Sequence, residues 1–108
     1  MRRILVVEDD PNSREGLAML LGGEGHEVVS CSNGAKALVL LQAATYDVLL
    51  TDYVMPGMSG VELALAACAT YPALRCLIMS GQPPIETERP FRWLGKPLDL
   101  DALLAAVV

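Results

Sequence analysis

The chain has 108 residues, 53% hydrophobic and 19% charged, which suits a single domain over residues 1–108 with a real core and excludes a disordered chain. Its net charge of −5 and lone basic doublet, Arg2-Arg3, offer no stripe to neutralise phosphates, which excludes direct nucleic-acid binding. No apolar run nears the roughly 20 residues needed to cross a bilayer, and "MRRILVVEDD" sets acids directly behind four apolar residues, unlike a signal peptide, so a cytoplasmic protein is expected.

The first element is the apolar run "ILVV" at 4–7. Asp10 followed by Pro11 then reads as an N-cap and first helical turn, Leu17, Leu20 and Leu21 keep the i, i+3, i+4 spacing, and Gly22, Gly23 and Gly25 close the helix. "EVVSC" at 27–31 is the second strand, entered through the only histidine, His26. Ser32 or Asn33 caps a second helix carrying Ala37, Leu38 and Leu41, and "DVLLT" at 47–51 is the third strand. Ser59 or Gly60 opens a third helix that Tyr71-Pro72 ends, and "RCLIMS" at 75–80 is the fourth strand. "FRWLG" at 91–95 is the fifth strand, and Asp99 caps a last helix whose Leu100, Leu103, Leu104 and Val107 are expected in the core. Continuous apolar runs mark strands buried on both faces, and strands alternating with helices imply an α/β fold with a parallel sheet.

The segment "GQPPIETERP" at 81–90 breaks the regular plan. A crossover with its helix needs about 10–12 residues or more, and each proline in a helix interior costs roughly 3 kcal/mol. With prolines at 83, 84 and 90, at most one helical turn is expected, around Ile85 to Arg89. Cys31, Cys68 and Cys76 are odd in number and lack CxxC spacing, so they read as reduced, packed thiols with no metal or redox role. One histidine leaves nothing for a histidine metal site or a catalytic triad.

Open α/β sheets bind ligands beyond the carboxyl ends of their strands, where strand order reverses. Those ends carry Glu8 and Asp9, Asp52, Ser80 and Lys96. Should the first and third strands be neighbours, three carboxylates meet, each close pair costing on the order of 4 kcal/mol at 4 Å and an effective dielectric near 20. Either the carboxyl pKa values rise or a cation sits among them, and hard oxygen ligands with open positions suit Mg²⁺. A carboxylate nucleophile, a divalent metal, a lysine and a hydroxyl are the parts that phosphoryl transfer requires.

These residues, with "ILVVEDDP", "GHEV", "SNGAKAL", "YDVLLTDYVMPGMSGVEL", "LIMSG" and "KPLDLDALLAAV", resemble a response regulator receiver domain over nearly the whole chain, less so across 82–92. The resemblance implies a doubly wound five-stranded parallel sheet of order 2-1-3-4-5, flavodoxin-like, with helices on both faces and the fourth helix shortened or missing. It implies that Asp52 is the phosphoacceptor in two-component signalling, taking a phosphoryl group from a histidine kinase or histidine phosphotransfer protein. Mg²⁺ is the implied cofactor, held by Glu8, Asp9, Asp52 and the Val54 backbone carbonyl, with Asp9 the direct ligand and Glu8 acting partly through water. Lys96 would pair with the phosphate, Ser80 would turn its hydroxyl toward it, and Trp93 would change rotamer on activation. Gly81, Val54 and Gln82 would govern access to the phosphoryl group, and Lys96-Pro97 would be a cis peptide. The short 81–90 segment implies an altered face over 81–95, where relatives dimerise and pass on their output.

Such a domain catalyses its own phosphorylation and slow dephosphorylation but turns over no free substrate. The chain stops after its last helix, which leaves a stand-alone receiver or a piece of a longer protein. A pseudo-receiver that binds partners without phosphate is the alternative, but it would lack the acceptor, the lysine or the acidic pair. A metal-dependent phosphohydrolase places its nucleophile first in a DxD after the first strand, and no DxD surrounds Asp52.

Overall fold

The structure is a computed structural model that describes residues 1–82 and 91–108. Its elements run β1 (Arg3–Val7), α1 (Pro11–Gly23), β2 (Glu27–Cys31), α2 (Gly34–Ala43), β3 (Val48–Asp52), α3 (Gly60–Thr70), β4 (Arg75–Ser80), β5 (Arg92–Gly95) and α4 (Leu100–Val107). The five strands form one sheet in the order β2-β1-β3-β4-β5, every pair parallel. From β1 the chain steps outward to β2, then returns across β1 to β3, so the order reverses between β1 and β3.

Right-handed crossovers put helices on opposite faces when the chain changes direction along a sheet. The core divides accordingly. Leu5, Val7, Leu49 and Ile78 pack with Ala37 and Leu41 of α2 and with Leu63, Ala64 and Ala67 of α3. Their sequence neighbours Ile4, Val6, Val48, Leu50, Leu77 and Met79 face Leu21 of α1 and Leu103, Ala106 and Val107 of α4. Adjacent strand residues point to opposite faces, so covering both sides turns an alternating pattern into the unbroken apolar runs of the sequence. Each large aliphatic side chain fully removed from water contributes about 1.5–3 kcal/mol.

Short polar side chains start the helices. Asp10, Asn33 and Ser59 accept hydrogen bonds from the backbone N–H three residues on, and Asp99 from those of Asp101 and Ala102. Ser59 and Glu62 complete a reciprocal capping box. Gly25, at φ +91°, makes the turn after α1 that an L side chain would strain. His26 has a structural task, accepting the Arg2 backbone N–H on Nδ1 at 3.0 Å.

Three expectations change. β5 begins at Arg92, with Phe91 packed beneath the α2/α3 side of the sheet but outside the ladder. β3 is shifted by one residue and includes Asp52. Leu100 is 52% exposed, whereas Leu103 and Val107 are fully buried and Leu104 packs partly against them. Leu100 is the first residue of α4, at the rim of a groove it shares with Leu17 and Leu20, and the helix closes onto the sheet only one turn later. The helical turn expected at 85–89 lies outside the described residues.

Candidate functional site

β1 and β3 lie side by side with Val7 opposite Thr51, so the residues following each strand emerge together at the point of reversal. Carboxylate oxygens of Glu8, Asp9 and Asp52 there all lie within 4.8 Å of one another. Glu8 is 4% and Asp52 8% exposed, while Asp9 faces solvent. Buried, crowded carboxylates need positive partners. Lys96, carried past β5, supplies one: its Nζ donates to Asp52 Oδ1 at 2.8 Å, and its backbone N–H donates to the Ser80 carbonyl at 2.8 Å. The Tyr53 backbone N–H donates to the same Asp52 oxygen at 3.0 Å. The Lys96-Pro97 peptide is cis, as the resemblance implied.

Glu8 shows what the crowding costs. Burial, followed by the negative charge of Asp52 and a hydrogen bond with it, pushes the Glu8 carboxyl up to about 7 from 4.5, although Lys96 and the Asp10 backbone N–H pull the other way. Arg14 on α1 donates to the Glu8 carbonyl at 2.9 Å and steadies this corner. A carboxyl whose ionisation is opposed by burial and by a neighbouring carboxylate is one that a hard divalent cation would relieve. The donor set therefore fits a metal of that kind. Asp10 takes no part: its carboxylate accepts from the Ser13 N–H and hydroxyl, which hold it below the usual carboxylate range as a helix cap.

Lys96 also borders a second cavity, around which most of the other expected residues lie. Ser80, 6% exposed, ends β4 one residue beyond Met79, which pairs with Asp52. Its Oγ accepts the Gln82 N–H at 3.1 Å. Ser80, Gly81, Gln82, Trp93 and Lys96 line a cavity of about 300 Å³. The Trp93 ring meets Tyr53, the residue after Asp52, edge-on at 5.4 Å and 75°. The Val54 side chain is 74% exposed beside the acceptor.

Gly60 has a role that the sequence reading assigned only to helix initiation. A Cβ there would collide with the Asp52 carbonyl oxygen and press on Tyr53, and the Gly60 N–H donates to the Tyr53 carbonyl at 2.8 Å. α3 therefore sits directly on the backbone that presents Asp52. The only sequence signal was a glycine directly after the capping serine, which helix capping alone does not demand.

At the reversal point of a 2-1-3-4-5 parallel sheet, Asp52 and the Glu8/Asp9 cluster, with a lysine on one carboxylate, fit a phosphoacceptor site. Residues 4–108 match the family described as "Response regulator receiver domain", and the chain belongs to that family. It is 37% identical over 110 residues to the response regulator receiver protein CpdR of Brucella abortus (strain 2308), covering 96% of this chain and 92% of CpdR. It is 34% identical to the DNA-binding transcriptional regulator NtrC of Escherichia coli (strain K12), covering 96% of this chain but 24% of that regulator. The crystal structure of response regulator TrrA from Thermotoga maritima in complex with Mg(2+)-BeF superposes with a TM-score of 0.86 at 31% identity, over 99% of this chain and 96% of that one. No helix among the described residues is long and apolar enough to cross a membrane.

Proposed function

We propose that this receiver accepts a phosphoryl group on Asp52 from a histidine kinase or histidine phosphotransfer protein in the cytoplasm, with Mg²⁺ as cofactor, and passes the change on through Ser80 and Trp93. The observation that carries the reading is the meeting of Glu8, Asp9 and Asp52 within 4.8 Å while Lys96 bonds to Asp52. Asp9, Asp52, the Val54 carbonyl and, partly through water, Glu8 would hold the metal. When bound, it supplies positive charge against the carboxylates and the phosphoryl oxygens.

The protein's own groups do the rest. An Asp52 carboxylate oxygen attacks phosphorus, an O–P bond forms and the donor's P–N bond breaks, and the departing imidazole nitrogen takes up a proton from solvent. Lys96 is placed to exchange its bond with Asp52 for one with a phosphoryl oxygen, and the Ser80 hydroxyl is a second donor. Aspartyl phosphate brings close to two negative charges. Ser80 turning toward it would vacate space in the cavity it shares with Trp93, and Trp93 would follow by giving up its edge contact with Tyr53. Gly81, Gln82 and Val54 border the route for the hydrolytic water. The domain signals; it turns over no free substrate.

Incubation with Mg²⁺ and acetyl phosphate tests this. Intact mass should rise by one phosphoryl group, about 80 Da, in the wild type and stay unchanged in Asp52→Asn. Emission from Trp93, the only tryptophan, should change in parallel. An unmodified wild type, or labelling that survives in Asp52→Asn, defeats the reading.

A further inference from the structure

Two of the three cysteines meet in the fold. Cys68 lies near the end of α3 and Cys76 is the second residue of β4; their Sγ atoms are 2.9 Å apart, and both are free thiols. The chain between them folds back through the turn at Tyr71–Leu74. A disulfide bond is about 2.05 Å long, so a closing movement of roughly 0.9 Å separates this pair from one. Cys31 is spent elsewhere, its thiol directed at the Asn33 carbonyl at 3.6 Å.

We propose that Cys68 and Cys76 are an oxidation site, closing to a reversible intramolecular disulfide between α3 and β4 when the protein meets a hydroperoxide. The two sulfurs differ in exposure, which assigns their parts. Cys76 is 7% exposed within the core cluster, and burial, then its contact with Cys68, pushes its thiol well above the ordinary range, so it stays protonated. Cys68 is half-buried and is the sulfur that the oxidant can reach. As thiolate it attacks a peroxide oxygen, the S–O bond forms as the O–O bond breaks, and the leaving oxygen takes up the proton that the Cys68 thiol had released, giving a sulfenic acid and, from hydrogen peroxide, water. Cys76 Sγ then displaces the hydroxyl: the S–S bond forms, the S–O bond breaks, and hydroxide leaves with the Cys76 proton as a second water. Two thiols have lost two electrons, and one hydroperoxide (hydrogen peroxide in the test below) has been reduced.

The crosslink belongs to the other end of the strand from the acceptor pocket. Cys76 pairs with Leu49, and Ser80 lies four residues further along β4, roughly 13 Å away at the usual strand rise. The disulfide therefore forms with or without phosphorylation, and Asp52→Asn should form it equally well.

The test uses the full chain and near-stoichiometric hydrogen peroxide, read by intact mass without reductant. A loss of about 2 Da is expected, reversed by dithiothreitol, with a Cys68–Cys76 crosslinked peptide in the digest. Cys31→Ser should keep the reaction and Cys68→Ser abolish it. The Tm of the oxidised wild type should rise on the order of 10 °C, because the bond closes a loop in the unfolded chain and lowers its conformational entropy. Mass gains in steps of about 16 Da without the 2 Da loss, a crosslinked dimer, or a 2 Da loss that survives in Cys68→Ser would each overturn the proposal.

Discussion

Replacing Glu8 with glutamine isolates the cost of gathering three carboxylates before any cation joins them. The Glu8 carboxyl titrates near 4.5 when unperturbed and at about 7 in the fold, chiefly because it is buried and secondly because Asp52 lies beside it. Below pH 4.5 it is protonated in both folded and unfolded chains, and the stabilisation is fully present. As pH rises from 4.5 to 7 the unfolded chain ionises while the fold still holds its proton, so stability is lost across that window. The total corresponds to about 3 kcal/mol, most of it lost between pH 5 and pH 8. Glutamine has no proton to lose. Urea unfolding in the presence of a chelator should therefore show wild type losing roughly 2 kcal/mol more than Glu8→Gln over that interval, with the titrating groups distant from the pocket cancelling in the difference. Added Mg²⁺ should then stabilise the wild type at pH 8 more than the variant. Parallel stability curves for the two proteins would refute the electrostatic account of the pocket.

Gly60→Ala drives a methyl group into the Asp52 carbonyl, and we expect a loss of about 2 kcal/mol or more with slower acetyl phosphate labelling, read by Tm and intact mass; labelling at the wild-type rate would show that α3 need not sit so close. Lys96→Met leaves Asp52 without its 2.8 Å partner; because Lys96 is more than a third exposed, the metal-free protein should lose only about 1 kcal/mol in urea unfolding, and a loss near zero would mean that solvent screens the pair completely. Val54→Asn places a polar side chain beside the acceptor where an exposed apolar one orients water poorly, so phosphate release from labelled protein should quicken, and an unchanged rate would defeat that role.

Much of this molecule follows from local chemistry. Apolar runs spaced by helical segments define the elements, and Asp10, Asn33, Ser59 and Asp99 mark the helix starts within a residue or so, because capping and periodicity act over a few residues of chain. The polar residues at the strand ends were equally visible, since a carboxylate such as Asp52 behind "VLL" has no reason to be there without partners. Their convergence was read through resemblance, and only the sheet order turns it into a distance.

What tertiary structure alone decided concerns contacts between residues far apart in the chain or in different elements. The Lys96 bond to Asp52 spans 44 residues, and the close seat of Gly60 on the Asp52 carbonyl depends on how α3 leaves the sheet. Leu100 keeps helical spacing with Leu103 yet stands at the rim, because periodicity names a face and not the length over which it is covered. Cys68 and Cys76 make the sharpest case. Eight residues apart with no motif spacing, they read as packing thiols, and they adjoin because a turn folds the end of α3 back beside the start of β4. Pattern in the chain determines which residues are buried and which begin a helix, whereas reactivity depends on distances that only the folded backbone sets.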